Sequence, residues 1–274
     1  MFKLSDEQIQ FYQENGFLVV PWEQHKMFDQ YDIQKWTAEM EAWPRVSGKW
    51  MHYDEINSQG ERQLMRMENF TDYHPKYQEF VRGDFVGDIF RQLTGQTMYL
   101  FKDKINMKKP YGGGFGAHTD APAYEHMGDI QHCTCNAAID AATPENGCLE
   151  VVKGSHKVKI PLDENHAISK DWENAQEWVP VPLNVGDLLF FGSFLAHRSG
   201  PNTTAQPRRQ LYATFHSDGK EGNALRDKYY VHRRETFPPD HERVPGKDYS
   251  EGIKRYAWAS PFATDTPAKT AAAN

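Results

Sequence analysis

Cysteine is scarce in this chain, with three residues among 274, at Cys133, Cys135 and Cys148. Three cysteines do not make a disulfide framework, which excludes the small secreted scaffolds that rely on disulfides in place of a large core. Cys133 and Cys135 form a single Cys-X-Cys pattern without the second pair that a structural zinc site needs. We therefore expect both thiols to pack in the protein interior.

Long apolar runs and an excess of basic residues are also missing. The stretch after Met1 has neither a signal-peptide core nor a membrane-spanning run, and the C-terminal residues contain no peroxisomal, prenylation or retention motif. Nucleic-acid binders usually carry excess positive charge, whereas this chain has a formal net charge of −7. We expect a cytoplasmic protein that acts on a small molecule, without a nucleic-acid or membrane partner. The sequence leaves the oligomeric state open.

What the chain does have is a globular composition, with 39% hydrophobic and 13% aromatic residues. Its length is sufficient to bury a substantial core, and no repeat or linker divides it. We predict a single domain over residues 1–274. Its parts are a mostly helical flank over 1–96, a β-rich core over 97–216, and a mobile tail over 262–274.

Local patterns place the elements within this frame. Ser5 and Gln8 have capping-box spacing, and Gly16 suits the left-handed end of the first helix. Residues 44–66 are polar and rich in turn formers, so we predict irregular structure there. Short β-like runs separated by glycine and proline follow from about residue 97. This order predicts a mainly β fold, a sandwich or barrel with flanking helices.

A His-Thr-Asp triplet supplies two candidate metal ligands, His118 and Asp120. On a strand, residues two apart project to the same face, so both side chains reach a common point. His197 follows the apolar run "GDLLFFGSFLA", which predicts a histidine at a strand end. Two histidines and one carboxylate leave about three octahedral positions open, an arrangement typical of non-haem Fe(II) oxygenases.

Arg208 lies 11 positions beyond His197, in the next predicted strand. A buried arginine there suits a bidentate salt bridge to a distal carboxylate, and Ser199 offers a hydroxyl to the same group. Arg209 is the rival for this role. Strand alternation places it on the opposite face from Arg208, so the spacing favours Arg208.

These motifs together resemble the phytanoyl-CoA dioxygenase family of Fe(II)/2-oxoglutarate-dependent oxygenases. The resemblance rests on "MENFTDYHP", "LFKDKIN", "GGGFGAHTDAPAY", "AAIDAATPENGCLEVVKGSHK" and "GDLLFFGSFLAHRSGPNTTAQPRRQLYATF". It implies a double-stranded β-helix, the jelly-roll core of cupin-like proteins. It also implies that His118, Asp120 and His197 bind Fe(II), with 2-oxoglutarate and O2 as co-substrates. Arg208, Ser199 and Asn106 are then the expected contacts of 2-oxoglutarate.

Within the family, "ENF", "LFKDKIN" and "TPENGCLEV" look most similar to the branch that contains aminophosphonate hydroxylases. The resemblance implies an enzyme that hydroxylates or otherwise oxidises a small polar or zwitterionic metabolite and releases succinate and CO2. An anionic head would pair with a lysine or arginine, and an ammonium group would lie against an aromatic face. The candidate substrate contacts are Asn69, Lys104, Tyr124 and His126, with Arg66 behind them.

Other functions stay open at this point. The same oxygenase chemistry suits a secondary-metabolite intermediate or an acyl-CoA. A metal-dependent enzyme on a cupin-like barrel without 2-oxoglutarate is a second alternative. A non-catalytic, metal-binding jelly-roll protein is a third.

Overall fold

Two antiparallel β-sheets form the centre of the fold in the computed structural model, which describes residues 2–163 and 166–263. The strands are β1 (Phe17–Val20), β2 (Met51–Ile56), β3 (Arg62–Glu68), β4 (Tyr99–Asn106), β5 (Phe115–His118), β6 (His132–Ala138), β7 (Leu149–Val151), β8 (Val179–Val181), β9 (Leu188–Gly192), β10 (His197–Ser199) and β11 (Gln210–His216). The α-helices are α1 (Asp6–Asn15), α2 (Trp22–His25), α3 (Asp32–Glu41), α4 (Pro75–Arg82), α5 (Asp84–Thr94), α6 (Lys170–Asn174), α7 (Ala224–Thr236) and α8 (Ser250–Tyr256).

The larger sheet has the strand order β1-β9-β6-β11-β4-β3-β2, and the smaller sheet has the order β5-β10-β7-β8. Every strand pairing in both sheets is antiparallel. Apolar side chains from both sheets, among them Leu149 and Val151 from one and Leu189 and Phe191 from the other, share one buried cluster. The predicted double-stranded β-helix with flanking helices is confirmed.

The two faces of the larger sheet pack against different parts of the protein, as strand β11 illustrates. Leu211, Ala213 and Phe215 belong to the main apolar core, which the N-terminal helices also enter. Tyr212 points to the other side, into the cluster between the sheets. Alternation along the strand therefore separates a side that packs against helices from a side that lines the interior of the jelly roll.

The N-terminal helix follows its sequence signals. The Ser5 hydroxyl accepts a hydrogen bond from the Gln8 amide at 3.2 Å, and the Gln8 side chain accepts one from the Ser5 amide at 2.9 Å. Gly16 has a φ of 86° and ends the helix in the left-handed conformation. Cys133 and Cys135 are buried in the main core, as expected.

The prediction of irregular structure over residues 44–66 is wrong. Strands β2 and β3 form a hairpin at the edge of the larger sheet, so the flank over 1–96 supplies three of the seven strands of that sheet. The alternating pattern is hidden because charged residues of the hairpin are buried. Glu55 and Glu68 are 0% and 3% exposed. Buried charges need ionic or hydrogen-bonded partners, which only the tertiary structure supplies.

The chain after the last strand also packs on the jelly roll. Helix α7 contacts β4, and helices α7 and α8 contact each other. An apolar cluster joins Met51 and Phe101 of the larger sheet to Tyr229 and Tyr256 of these helices. The predicted tail over 262–274 lies, from residue 264 onward, outside the described residues. Within the described part of the chain, no helix is long and apolar enough to cross a membrane.

Candidate active site

His118 and Asp120 differ in backbone conformation. His118 is the last residue of β5, whereas Asp120 lies in a turn with φ −75° and ψ −24°. The expectation that both residues stand on one strand is therefore wrong for Asp120. Pro122 follows in a short 3-10 helix, because its fixed φ and missing amide hydrogen suit the start of a helical turn. The turn still directs the carboxylate toward His118, with 4.0 Å between Asp120 Oδ1 and His118 Nε2.

His197 is the first residue of β10, directly opposite His118 on β5. The sequence predicted a single strand that runs up to this histidine. Instead, β9 ends at Gly192 in the larger sheet, and the chain crosses to the smaller sheet before β10 begins. The crossing brings the two imidazoles together, with ring centroids 4.1 Å apart and ring planes tilted by 53°.

The backbone fixes the tautomer of both histidines. His118 Nδ1 lies 2.6 Å from the carbonyl oxygen of Gly116, and His197 Nδ1 lies 2.9 Å from that of Leu195. A carbonyl oxygen only accepts, so each Nδ1 carries the proton and donates it. Each Nε2 then keeps a free lone pair, the form in which histidine binds a metal.

Ligand atoms of His118, Asp120 and His197 all lie within 4.8 Å of one another. Burial, together with the neighbouring His197, lowers the pKa of His118 to about 3, and burial also lowers the pKa of His197. Both rings are therefore neutral at physiological pH. Burial alone would raise the pKa of Asp120, but the field of His197 and of nearby lysines outweighs it and lowers the pKa. Two neutral imidazoles and one ionised carboxylate fit a divalent iron.

The prediction that Arg208 lies within a strand is wrong, because β11 begins two residues later, at Gln210. Arg208 precedes the strand and is 1% exposed. Its Nη2 donates a hydrogen bond of 2.6 Å to the carbonyl oxygen of Gly147. Its Nε and Nη1 atoms are buried and have no hydrogen-bond partner in the described structure. A buried guanidinium with two free donors is costly unless an anion pairs with it, so the observation fits a carboxylate ligand.

Ser199, on β10, is connected to this arginine through Lys108 and Gly147. Its hydroxyl accepts a hydrogen bond of 2.8 Å from Lys108 Nζ, which also donates to the carbonyl oxygens of Gly147 and Gly200. Burial and the nearby Arg208 lower the pKa of Lys108 to about 5. The sequence motifs did not single out Lys108, because its relation to Ser199 spans 91 residues of chain.

Asn106 and Arg66 are opposite each other on β4 and β3. Asn106 Oδ1 accepts a hydrogen bond of 2.9 Å from Arg66 Nε, and both residues are buried. Arg66 lines a polar cavity that also contains His118, Asp120 and Lys104. The structure thus brings these four candidates together, with Asn106 behind the arginine.

Three other predicted substrate contacts lie elsewhere. Asn69 donates to the carbonyl oxygen of Lys49 and accepts from Arg226, away from the polar cavity. His126 packs on His232, with ring centroids 4.4 Å apart. Tyr124 lines a separate, more apolar cavity on the far side of Thr119. None of the three lines the cavity that holds His118 and Asp120.

The outer wall of the polar cavity comes from the C-terminal part of the chain, which the sequence motifs did not implicate. Trp258 meets the His118 ring edge-on at 5.4 Å. Arg233 of α7 makes two hydrogen bonds to the Glu68 carboxylate, of 2.9 and 3.1 Å. The only sequence feature that hints at this part of the wall is the aromatic and basic composition of α7 and α8. It has no fixed spacing from the metal-binding motif, so the sequence did not reveal where it packs.

Comparison with known families and proteins agrees with this geometry. The sequence profile of phytanoyl-CoA dioxygenase (PhyH) matches residues 12–210. A protein named dioxygenase lolE1, from Epichloe uncinata, is 39% identical over 88% of this chain and 93% of its own length. A 2-aminoethylphosphonate dioxygenase from an uncultured bacterium is 36% identical over 96% of this chain and all of its own. A methylphosphonate hydroxylase from Gimesia maris is 39% identical over 85% of this chain and 88% of its own.

Solved structures share the fold at lower sequence identity. EctD from S. alaskensis, crystallised with 2-oxoglutarate and 5-hydroxyectoine, has a TM-score of 0.67 and is 18% identical, over 78% of this chain and 76% of its own. The carbocyclase SnoK from nogalamycin biosynthesis has a TM-score of 0.59 and is 19% identical, over 78% of this chain and 85% of its own.

Proposed function

This chain belongs to the phytanoyl-CoA dioxygenase family, and on that premise we propose that it hydroxylates a small polar or zwitterionic metabolite, of the amino acid or aminophosphonate type. It is a 2-oxoglutarate-dependent dioxygenase, with Fe(II) as cofactor and with 2-oxoglutarate and O2 as co-substrates. In the proposed reaction one oxygen atom of O2 enters the product and the other enters succinate, while 2-oxoglutarate loses CO2. The proposal treats residues 1–274 as one oxygenase domain.

The observation that carries the proposal is the pairing of two features at one end of the jelly roll. One is the cluster of His118, Asp120 and His197 with both Nε2 atoms free. The other is Arg208, buried with two unpaired donors. Ser199 links the two features, since it lies on β10 two residues beyond His197. A metal hydrolase has no use for such an arginine, whereas a 2-oxo dicarboxylate needs both features.

The residues of the chain would divide the work as follows. His118, Asp120 and His197 would hold Fe(II), which with 2-oxoglutarate supplies the activation of O2 when bound. Arg208 would pair with the distal carboxylate of 2-oxoglutarate, and Ser199 would hydrogen-bond to it. Trp258 and the Arg233–Glu68 pair would cover the cavity and limit the entry of water. No separate acid or base is required.

Two observations support the substrate class. The cavity beside His118 and Asp120 has a predominantly polar lining, which suits a small charged molecule. Two relatives at 36 and 39% identity are named for the oxidation of 2-aminoethylphosphonate and methylphosphonate. No feature of this cavity favours a long acyl chain. A non-catalytic role does not fit a family whose members are named as dioxygenases.

Succinate formation tests the proposal. The enzyme, supplied with Fe(II), 2-oxoglutarate and O2, should form succinate slowly without substrate and faster with a small polar substrate. A panel of 2-aminoethylphosphonate, β-alanine and other amino acids should contain a stimulator, and phytanoyl-CoA should not stimulate. Strong stimulation by the acyl-CoA alone would overturn the proposed substrate class. A complete lack of succinate under all conditions would overturn the proposed reaction.

A further inference from the structure

Two lysines of β4 line the polar cavity, and neither has an acidic partner among the described residues. Lys102 and Lys104 are two residues apart and so project to the same side of the strand, and both line the cavity that holds His118 and Asp120. Lys102 is 8% exposed. Within the described residues, neither ammonium group makes a hydrogen bond or an ion pair. Each lies instead near an aromatic ring, Lys102 at 4.4 Å from the centre of Tyr124 and Lys104 at 5.1 Å from that of Tyr212.

The acidic residue opposite Lys104 on the sheet does not form an ion pair with either lysine. Glu68 is directly opposite Lys104 on β3. Its two carboxylate oxygens are taken by the two hydrogen bonds from Arg233, and Arg66 Nη1 lies 3.4 Å from Oε1. Glu68 is thus shared between two arginines, and the lysines stay unpaired. Two unpaired ammonium groups in a buried cavity are unfavourable until an anion joins them.

The cavity as a whole carries excess positive charge. Besides the two lysines, its lining includes the cations Arg66, Arg233 and Arg255, and the carboxylates Glu68 and Asp120. This is a formal excess of three positive charges, and a bound Fe(II) would add to it. Burial lowers the pKa of Lys102 to about 8 and that of Lys104 well below its usual range, and the opposing charges of Asp120 and Glu68 do not outweigh burial.

We propose that Lys102 and Lys104 together bind the doubly charged phosphonate head of the substrate. The inference rests on the proposed function and narrows its substrate class from polar metabolites to phosphonates. A carboxylate offers one negative charge and would leave one of the two lysines uncompensated. A phosphonate offers two charges and three acceptor oxygens, which match two lysines on one strand face. The phosphonate would thereby be held beside the metal ligands, with the adjacent carbon directed to them.

Binding of two matched compounds tests this proposal. 2-Aminoethylphosphonate and β-alanine share the aminoethyl group and differ in the acid head. Their dissociation constants would be measured by calorimetry with the Fe(II)- and 2-oxoglutarate-loaded enzyme under nitrogen, at a pH where the phosphonate is a dianion. We expect the wild type to bind 2-aminoethylphosphonate at least about tenfold more tightly than β-alanine. With β-alanine, one buried lysine would lack a charge partner, and such a loss typically reduces affinity by that much or more. Equal or tighter binding of β-alanine would overturn the proposal without any variant.

Variants assign the preference to the two lysines. Lys102→Met and Lys104→Met keep the length of the side chain and remove its charge, and each should reduce the preference for the phosphonate by about tenfold. Lys104→Arg keeps the charge and should retain most of the preference. Lys76→Met, on the exposed surface of α4, is the matched control and should behave as the wild type. An unchanged preference in both cavity variants would overturn the assignment.

The same samples separate this inference from the function on which it rests. Binding of 2-oxoglutarate to the Fe(II)-loaded wild type is measured first, by the same method. If 2-oxoglutarate binds and the phosphonate preference is absent, the lysine proposal fails and the oxygenase proposal stands. If 2-oxoglutarate does not bind, the oxygenase proposal itself fails.

Discussion

Arg208 and Arg209 are neighbours in the chain and face opposite sides of the larger sheet. Arg208 points inward and donates to the carbonyl oxygen of Gly147. Arg209 points toward the helices, where it makes hydrogen bonds of 2.7 and 2.9 Å to Asp140 and one of 2.9 Å to Glu41. Arg209 is therefore already paired, whereas two donors of Arg208 await a partner.

This difference predicts opposite results for the two arginines. Arg208→Ala should weaken the binding of 2-oxoglutarate by tenfold or more, because loss of a buried charge partner costs about 2 to 5 kcal/mol. Arg209→Ala should lower the free energy of unfolding and leave the affinity for 2-oxoglutarate nearly unchanged. Titration of both Fe(II)-loaded variants with 2-oxoglutarate gives the answer. A larger affinity loss in Arg209→Ala would mean that Arg209 is the clamp.

Removal of any one proposed metal ligand should abolish iron-dependent succinate formation. His118→Ala, Asp120→Ala and His197→Ala each take away one of three protein ligands. His25→Ala is a suitable control, because His25 lies on α2 and contacts the backbone of Gly186 instead of the cluster. The rate of succinate formation and the iron content of each variant are the measurements. A variant that retains both iron and full activity would remove its residue from the ligand set.

Gly147 links the loop after β6 to the arginine and lysine at the proposed 2-oxoglutarate site. Its φ is +76°, and an added Cβ would lie 2.2 Å from the carbonyl oxygen of Gly200 and 2.7 Å from Lys108 Nζ. Gly147→Ala should therefore destabilise the fold by more than left-handed strain alone and should weaken 2-oxoglutarate binding. Gly60 is a matched control, since its φ is +82° and nothing lies within 4 Å of its added Cβ.

Urea unfolding of the two glycine variants separates strain from collision. Gly60→Ala should lose about 1 to 2 kcal/mol, the cost of a left-handed alanine. Gly147→Ala should lose clearly more. Equal losses in the two variants would show that the backbone around Gly200 moves aside without cost.

Glu68 predicts a pH dependence of stability. Burial works to raise its pKa, but the ion pairs with Arg233 and Arg66 outweigh this effect and lower the pKa from 4.5 to about 2. A carboxylate with a lowered pKa in the folded state stabilises the fold fully above its ordinary pKa. That contribution is lost as the pH falls from about 4.5 to about 2.

Glu68→Gln removes this ionisation and should flatten the corresponding part of the stability profile. It should also lower the stability near neutral pH, because Arg233 loses a buried partner. The free energy of unfolding of both proteins, measured across the acid range, provides the comparison. Parallel profiles for the wild type and the variant would exclude Glu68 as the titrating group.

The sequence was sufficient to predict the fold class, the cluster of His118, Asp120 and His197, and the inward direction of the Arg208 side chain. These predictions depend on motif spacing and on the alternation of neighbouring side chains in extended backbone, which are local properties. The path between ligands was less predictable. The chain turns before Asp120 and crosses between sheets before His197, since a turn and a sheet change both interrupt an apolar pattern without an obvious mark.

The sequence did not predict which residues form the wall of the polar cavity, for a different reason. Glu68 and Arg233 are 165 residues apart in the chain. Taken alone, each charged residue is expected at the protein surface. Their burial follows from mutual pairing, which depends on how α7 packs against the larger sheet. Asn69, Tyr124 and His126 show the converse. They are close in sequence to family motifs, but none of the three lines the polar cavity.

The proposed site has His118, Asp120 and His197 as ligands of one Fe(II) and Arg208 as the partner of the distal carboxylate of 2-oxoglutarate. A crystal structure of the protein grown under nitrogen with Fe(II) and 2-oxoglutarate tests it most directly. We expect iron bound by Nε2 of both histidines and by the Asp120 carboxylate, and 2-oxoglutarate paired with Nε and Nη1 of Arg208. Iron bound by other residues, or 2-oxoglutarate bound away from Arg208, would contradict it.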